Sequence, residues 1–231
     1  MNEPHAALPT AQQHAVGALR RLIVSGELRP GQRVNQEDIA ARVGLSVAPV
    51  REALRVLAQE GQLTYRPRRG YFVTELQFED LSEIYQLRRI LEARAARHAL
   101  PKLDDAALRR IGEAARTCAA AAAAGDVAAE LAANRTFHFA IIEAPGQPHV
   151  LRLIRLLWES TEVYRAMYYN LPEERAASVD AHDRIIEAIH ARDADRLVRE
   201  LDDHRNRALD VLRARFAHVP GPCPGDEPVT R

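Results

Sequence analysis

The sequence predicts a mostly α-helical protein in two parts, a small N-terminal unit with a β-hairpin and a larger all-helical bundle. Alanine is abundant and only 5% of the residues are aromatic, which favours helix over strand. Apolar residues recur at helical spacing along most of the chain. Only two short runs, 63–65 and 71–73, have the composition of strands. The bundle is expected to be antiparallel and to hold about six helices.

The composition narrows the class of protein. With 231 residues, of which 47% are hydrophobic, the chain can form one large domain or two small ones with a packed core. Its 32 basic and 32 acidic residues give a formal net charge of zero. This balance excludes a strongly basic nucleic-acid coat protein and an acidic tail protein, but it permits a local basic patch.

The cysteines indicate a reducing compartment, and the hydropathy of the chain indicates neither a membrane span nor a signal peptide. The two cysteines, Cys118 and Cys223, lie far apart and form no CxxC motif, so a disulfide scaffold is not expected. No apolar run approaches the roughly 20 residues that a membrane span needs. The first ten residues lack the basic and apolar regions of a signal peptide. We therefore expect a cytoplasmic location and no membrane partner.

The first elements read as a helix, a very short strand and a second helix. Residues 1–10 contain two prolines and are predicted to form a disordered lead. A helix is predicted over 11–28, where apolar residues follow a helical period and a Pro-Gly pair comes soon after. Residues 33–35 can form only a small strand. A second helix is predicted over 36–43.

A third helix and a hairpin complete the N-terminal unit. Gly44, Leu45 and Ser46 form a tight turn, and the Ser46 hydroxyl can cap a helix predicted over 47–60. The strand-like runs 63–65 and 71–73 then flank the basic turn RPRRG at 66–70. This order predicts a winged helix-turn-helix over 11–75.

The remainder of the chain is predicted to be helical up to a loose, Pro/Gly-rich tail. Breakers such as Gly125 and the Pro145-Gly146 pair separate the helices. We assign 76–218 to the helical domain and 219–231 to the tail. The predicted helices span 78–99, 104–124, 126–144, 148–169, 173–190 and 193–217.

The N-terminal unit is interpreted as a reader of double-stranded DNA. In a helix-turn-helix the second helix enters the major groove with its N-terminal end. Arg51 and Arg55 share the face opposite the apolar stripe, and arginine can pair with guanine or grip phosphate. A lone charged helix face is more often merely solvated, but here the turn, the helix and the basic wing occur in order. The predicted DNA contacts are Ser46, Val47, Pro49, Arg51, Arg55, Arg66, Arg68, Arg69 and Gly70.

Three histidines of the second part lie on apolar stripes of three different predicted helices. His138 follows Asn134 by four residues, so both side chains share one helix face. His182 and His204 lie in line with apolar residues of two later helices. A buried imidazole needs a partner, because an unpaired polar group costs about 1–3 kcal/mol. A shared divalent ion, zinc or nickel, would satisfy all three.

Other interpretations of these histidines remain open. Each histidine can be a hydrogen-bonded core residue, because sequence alone does not show that the three helices converge. A metalloenzyme can also use three histidines and a water. However, the chain has no HExxH, no GxSxG and no phosphate-cradling glycine loop. A pure metal sensor is the third alternative.

The stretch from residue 28 to 73 resembles the DNA-binding domain of GntR-type bacterial transcription regulators. It carries their motifs at the same spacing: Pro30-Gly31, a Val43-Gly44 turn, SVAPVREAL from Ser46, the Glu60-Gly61 pair, and RGYFV in the wing. The resemblance implies that Arg51, Arg69 and Gly70 touch DNA and that Ser46 contacts phosphate. Val47 stands where the family usually has arginine, so the operator of relatives cannot be carried over.

The region from about residue 81 to 216 is similar to the helical FCD ligand-binding domain of the FadR branch of that family. Its motifs read RRILE from Arg88, NRTFH from Asn134, HDRII from His182 and LDDH ending at His204. The resemblance implies that Asn134 and the three histidines coordinate a divalent metal. It also implies that a small organic acid binds there, with Arg88 close to its carboxylate. Asn134 replaces the aspartate of many members and supplies no negative charge.

Together these features predict a ligand-responsive transcription regulator, acting as a repressor, rather than an enzyme. A palindromic operator matches a two-fold homodimer. Residues 1–75 hold ten arginines against seven acidic residues, and the excess is reversed in the remainder. The neutral total is therefore the sum of a modestly basic unit and a modestly acidic one.

Overall fold

The computed structural model describes residues 10–143 and 146–217. Within these residues it contains ten α-helices, one short 3₁₀ helix and a three-stranded antiparallel sheet. The mostly helical fold class is thereby confirmed. The predicted tail at 219–231 and all but the last residue of the predicted lead at 1–10 lie outside the described residues.

The N-terminal unit has the predicted order of elements. Its sheet has the strand order β1-β3-β2, with Arg33 opposite Phe72 and Leu63 opposite Val73. The hairpin turn therefore falls in the basic segment, as predicted. The elements are α1 (Ala11–Val24), β1 (Arg33–Val34), α2 (Gln36–Val43), α3 (Val47–Gln59), β2 (Leu63–Arg66) and β3 (Gly70–Val73).

The first helix is shorter than the prediction of 11–28. It begins after Thr10, whose hydroxyl accepts from the Gln13 backbone N–H, and it ends at Val24. Ser25 is the C-cap, and Gly26 follows with a φ of 78°. Leu28 is still buried, so its apolar character reflects packing of the loop against the core rather than helix.

The helical domain contains seven α-helices instead of the predicted six. The predicted helix over 148–169 is wrong because the chain leaves helical geometry at the buried Thr161, whose φ is −108°. The Thr161 hydroxyl donates to the carbonyl of Leu157 at 3.1 Å. The helices are α4 (Phe78–Ala99), α5 (Asp105–Ala124), α6 (Val127–Ile142), α7 (Pro148–Ser160), α8 (Glu162–Tyr169), α9 (Pro172–His190) and α10 (Ala194–Ala217), with the 3₁₀ turn Leu100–Lys102 after α4.

The two parts of the chain share a hydrophobic core. Leu81, Tyr164 and Leu212 of the helical domain pack in one cluster with the buried residues of α1 to α3. The Tyr164 hydroxyl accepts from the backbone N–H of Leu76 at 2.7 Å. The N-terminal unit therefore packs directly against α8. No helix of the described segments is long and apolar enough to cross a membrane.

A second hydrophobic cluster forms the core of the bundle, and the same domain also contains a buried acid. Glu130 of α6 is almost fully buried, and its Oε2 has no hydrogen-bond partner among the described residues. Burial raises the pKa of Glu130 to about 7, while Arg175 opposes this rise. Folding therefore favours the protonated carboxyl over the carboxylate.

We expect this acid to make the stability depend on pH. The unfolded chain releases the Glu130 proton near pH 4.5 and the folded chain near pH 7. The stabilisation is fully present below pH 4.5 and is lost as pH rises through 7. Glu130→Gln should therefore gain stability over the parent between pH 5 and pH 8 in urea unfolding experiments. Glu113→Gln, at an exposed position of α5, is the control. Parallel pH profiles for parent and Glu130→Gln would contradict the assignment.

Candidate metal centre and nucleic-acid interface

The exposed face of α3 presents the predicted DNA-reading arginines. Val50, Leu54 and Leu57 are fully buried on the opposite face. This packing leaves Arg51 and Arg55 exposed, because four-residue spacing keeps them together on the outer side. Arg51 Nε donates to Gln36 Oε1 at 3.2 Å, and Arg55 Nη1 donates to Glu52 Oε1 at 3.0 Å. Gln36, at the start of α2, was not predicted to lie near this face.

The N-terminal end of α3 differs from the prediction in two respects. Ser46 occupies the N-cap position, but its side chain makes no capping hydrogen bond. The hydroxyl is exposed and the first turn of α3 has no acidic residue. Val47 and Pro49 are half-buried, and Val47 packs against the core. The exposed groups at this end are therefore the Ser46 hydroxyl and backbone N–H groups, which suit an anion.

The hairpin turn projects the predicted cluster of basic side chains. Arg66, Arg68 and Arg69 are all exposed. The guanidinium carbons of Arg66 and Arg69 lie 4.5 and 5.8 Å from the centre of the Phe72 ring. Arg68 and Gly70 have φ values of 62° and 90°, a left-handed conformation that turns the chain sharply. The wing is thus a compact basic loop.

The three predicted histidines converge in the helical domain. His138 of α6, His182 of α9 and His204 of α10 have ring nitrogens within 4.8 Å of one another. Asn134 lies in the same place, because its Oδ1 is 3.1 Å from His182 Nε2. Four side chains that sequence reasoning placed on three separate helices are therefore neighbours.

Burial keeps these imidazoles in the form that can bind a metal. It lowers the pKa of His138 and His182 well below 6.5 and that of His204 to about 4. Nearby positive charges, including Arg88 and Arg205, add to the effect on His138 and His204. All three rings are therefore neutral at pH 7, with lone pairs available to a metal ion.

The donor set fits a divalent ion. Nδ1 of His182 and Nδ1 of His204 are buried without a hydrogen-bond partner in the described residues. Three imidazoles and one amide oxygen are ligands that zinc and nickel accept. The cluster can therefore offer up to four ligand atoms to one divalent ion.

A buried carboxylate organises the charges next to the histidines. Glu92 Oε1 accepts from Arg88 Nε and from Trp158 Nε1, both at 2.8 Å, and its Oε2 accepts from Arg205 Nη2 at 2.8 Å. Burial alone would raise the pKa of Glu92, but Arg88 and Arg205 outweigh it and lower that pKa to about 2. Arg88, predicted to face an effector, is thus already ion-paired.

A small cavity of about 30 Å³ lies beside the cluster. Its wall includes Arg88, Asn134, His138 and His204, so it brings the predicted effector residue and three of the four predicted metal ligands together. It also includes residues that were not predicted, which are Tyr85, Glu92, Trp158, Arg165, Tyr168, Tyr169, Leu201, Arg205 and Ala208.

Arg165 of α8 is one of three charged residues of this wall, with Glu92 and Arg205, that sequence reasoning did not assign to the site. It is 6% exposed, and its guanidinium carbon lies 4.3 Å from the Trp158 ring centre. The only available signal was an arginine inside the run VYRAMYY, in a segment predicted to be an unbroken helix. For Arg205, the available signal was its position directly after the predicted metal ligand His204.

Comparisons with known proteins agree with this architecture. The family model described as bacterial regulatory proteins, gntR family, matches residues 11–73, and the FCD domain model matches residues 83–207. The probable D-xylose utilization operon transcriptional repressor of Paenarthrobacter nicotinovorans is 33% identical over 79% of this chain and 80% of its own. The regulator YdhC of Bacillus subtilis is 25% identical over 84% of this chain and 88% of its own.

A solved structure has the same fold. The Escherichia coli McbR/YncC structure superposes with a TM-score of 0.79 at 24% identity, covering 90% of this chain and all of that one. These domains and relatives are transcription regulators, not enzymes. The chain belongs to the gntR family of bacterial regulatory proteins, as a DNA-binding transcription regulator with an FCD domain.

Proposed function

We propose that this regulator is a homodimeric repressor of a palindromic operator. Its affinity for that operator is altered by a small organic acid bound at a divalent metal. The observation that carries the proposal is the convergence of His138, His182 and His204 beside a cavity with arginines in its wall. Because a bacterial transcription regulator meets its DNA in the cytoplasm, we place the protein there. A relative named as a repressor supports the direction of control.

For DNA recognition we propose that α3 enters the major groove and the basic wing contacts the adjacent backbone. Arg51 and Arg55 would face bases and phosphates, and the exposed Ser46 hydroxyl would donate to a phosphate at the helix start. Val47 and Pro49 would fix the position of that helix end by packing. Arg66, Arg68, Arg69 and Gly70 would form the wing contact.

Arg51→Ala should weaken operator binding roughly tenfold to a hundredfold, the usual effect of losing an arginine–guanine pair of about 1–3 kcal/mol. The probe is duplex DNA selected by the wild-type protein from a random library, and fluorescence anisotropy measures the affinity. Arg109→Ala removes the same charge from an exposed position of α5 and is the matched control. Equal affinities of the two variants would remove Arg51 from the interface.

For the homodimer we propose that α4 and α7 form the contact. These neighbouring helices expose four large apolar side chains, Leu87 and Ile90 on α4 and Leu153 and Leu156 on α7. Exposed apolar side chains on adjacent helices are typical of association surfaces. A two-fold dimer would present two copies of α3, which matches a palindromic operator.

Ile90→Asp should shift the protein toward monomer, because it places a charge in an apolar contact. Ile90 is 64% exposed in the single chain, so its replacement should leave the fold intact. Sedimentation velocity measures the mass, and circular dichroism checks helicity. Tyr65→Asp, at an exposed position of the wing, should leave the mass unchanged. A dimer that survives Ile90→Asp would exclude this contact.

For the metal site we propose that Asn134, His138, His182 and His204 bind one zinc or nickel ion. When bound, the ion supplies an electrophile that holds a carboxylate. Arg88 would stabilise the bound acid by its charge. The neutral imidazoles need no deprotonation before they bind the ion.

His182→Ala should reduce bound metal to background, whereas Asn134→Asp should tighten metal binding by adding a negative charge. His190→Ala is the matched control, because His190 lies on the same helix and is exposed. Elemental analysis after dialysis measures the metal, and titration calorimetry with Zn²⁺ or Ni²⁺ measures affinity. The metal site would be refuted by equal metal contents in His182→Ala and His190→Ala.

A further inference from the structure

The charges around the cavity are not balanced by the protein. Arg88, Arg165 and Arg205 lie in its wall, and Glu92 is the carboxylate that lies there with them. Glu92 forms ion pairs with Arg88 and Arg205, and Asp202 forms a further ion pair with Arg205. Arg165 forms no ion pair with either of these carboxylates, and Glu162 on the same helix acts on it only at longer range, so its guanidinium is the one left for a ligand to meet.

Arg165 has unused hydrogen-bonding capacity. Its Nε and Nη1 atoms are buried and have no hydrogen-bond partner within the described part of the chain. Burial, together with the nearby charge of Arg88, lowers the pKa of Arg165 to about 10, so it is still charged at pH 7. A buried guanidinium without a directly bound anion costs stability, and such an exception to the pairing of buried polar groups calls for an explanation.

Arg165 and His138 of the histidine cluster both lie next to one aromatic side chain, Trp158, and both line the same cavity. The Trp158 ring centre is 5.3 Å from that of His138 and 4.3 Å from the guanidinium carbon of Arg165. Arg88 also stacks on Trp158, at 4.2 Å. Because His138, His204 and Arg165 line one small cavity, a ligand with one anionic group at the histidines and another at Arg165 needs only a short carbon spacer.

We propose that Arg165 binds a second anionic group of the effector, so that the effector is a short dicarboxylate or an equivalent dianion. This inference rests on the proposed function, because the first carboxylate is the one assigned to the metal. The guanidinium fork of Arg165 offers two parallel N–H donors to a carboxylate. Arg88 and Arg205, already held by Glu92, then shape the site rather than bind the second group.

The cavity is too small for a dicarboxylate, so binding one has to move part of its wall. A volume of about 30 Å³ accommodates about one water molecule, so a dicarboxylate has to displace part of the wall. Arg165, Tyr168 and Tyr169 of that wall all lie on α8. Tyr164 of the same helix is bonded to Leu76, at the junction with the DNA-reading unit. Binding at Arg165 therefore acts on the helix that seats this unit.

The test compares carboxylates of equal chain length on metal-loaded protein. Thermal unfolding is measured with succinate against butyrate, and likewise with malonate against propionate and glutarate against valerate. At least one dicarboxylate should raise the Tm of the wild type by about 2 °C or more above its monocarboxylate. Arg165→Met should abolish this difference, and Arg165→Lys should retain part of it.

The Tm values of the variants in the absence of ligand provide an independent test. Arg165→Met removes an unpaired buried charge and keeps an apolar side chain, so its Tm should equal or exceed that of the wild type. Arg205→Met is the matched control and should lower Tm, because it takes a partner from Glu92. A Tm loss in Arg165→Met as large as that in Arg205→Met would make Arg165 a structural residue and overturn the inference.

The inference is also overturned if no dicarboxylate exceeds its monocarboxylate on the wild type. Failure of the proposed function would give a different result. In that case the wild type would bind no metal, and His182→Ala and the wild type would show the same metal content and the same Tm response to carboxylates. A dicarboxylate preference that persists in His182→Ala but vanishes in Arg165→Met would support the Arg165 site and refute the metal site.

Discussion

The helical domain depends on one buried carboxylate. Glu92 of α4 accepts hydrogen bonds from Arg88, Trp158 and Arg205, which lie on α4, α7 and α10. Removing one partner of such a group would leave a buried charge without compensation, so the three side chains are held as a unit. Because they also form the wall of the cavity, the same network that ties three helices together positions the groups that a ligand would meet.

The break at Thr161 gives α8 a role that a continuous helix could not have. After this residue the chain starts a new helix, and Tyr164 reaches Leu76 while Arg165 lies against Trp158. One short helix thus contacts the cavity and the DNA-reading unit through adjacent residues. A ligand can shift the pose of that unit only if it binds one arrangement of α8 better than another.

Sequence reasoning was most accurate where a local pattern determines the structure. The helices α2 and α3 and the hairpin follow from spacing and breakers, and the apolar stripes correctly placed His138, His182 and His204 on inward faces. The helix break at Thr161 was missed because a buried threonine does not signal a break by its identity. Arg165 was missed for a related reason. Whether a buried arginine is paired depends on which carboxylates reach it, and that is decided by tertiary packing.

The distribution of charge shows how a chain with no net charge can carry local positive charge at two places. Basic residues exceed acidic ones only slightly in the first part, yet packing of α3 and the wing leaves five arginines on the surface of one small unit. In the bundle, Glu92 forms ion pairs with Arg88 and Arg205 and leaves Arg165 without one. Local rules of stability are broken mainly at functional sites. Here the loss of stability from an unpaired guanidinium arises at one residue, Arg165. That residue lies on α8, the helix that contacts both the cavity and the N-terminal unit.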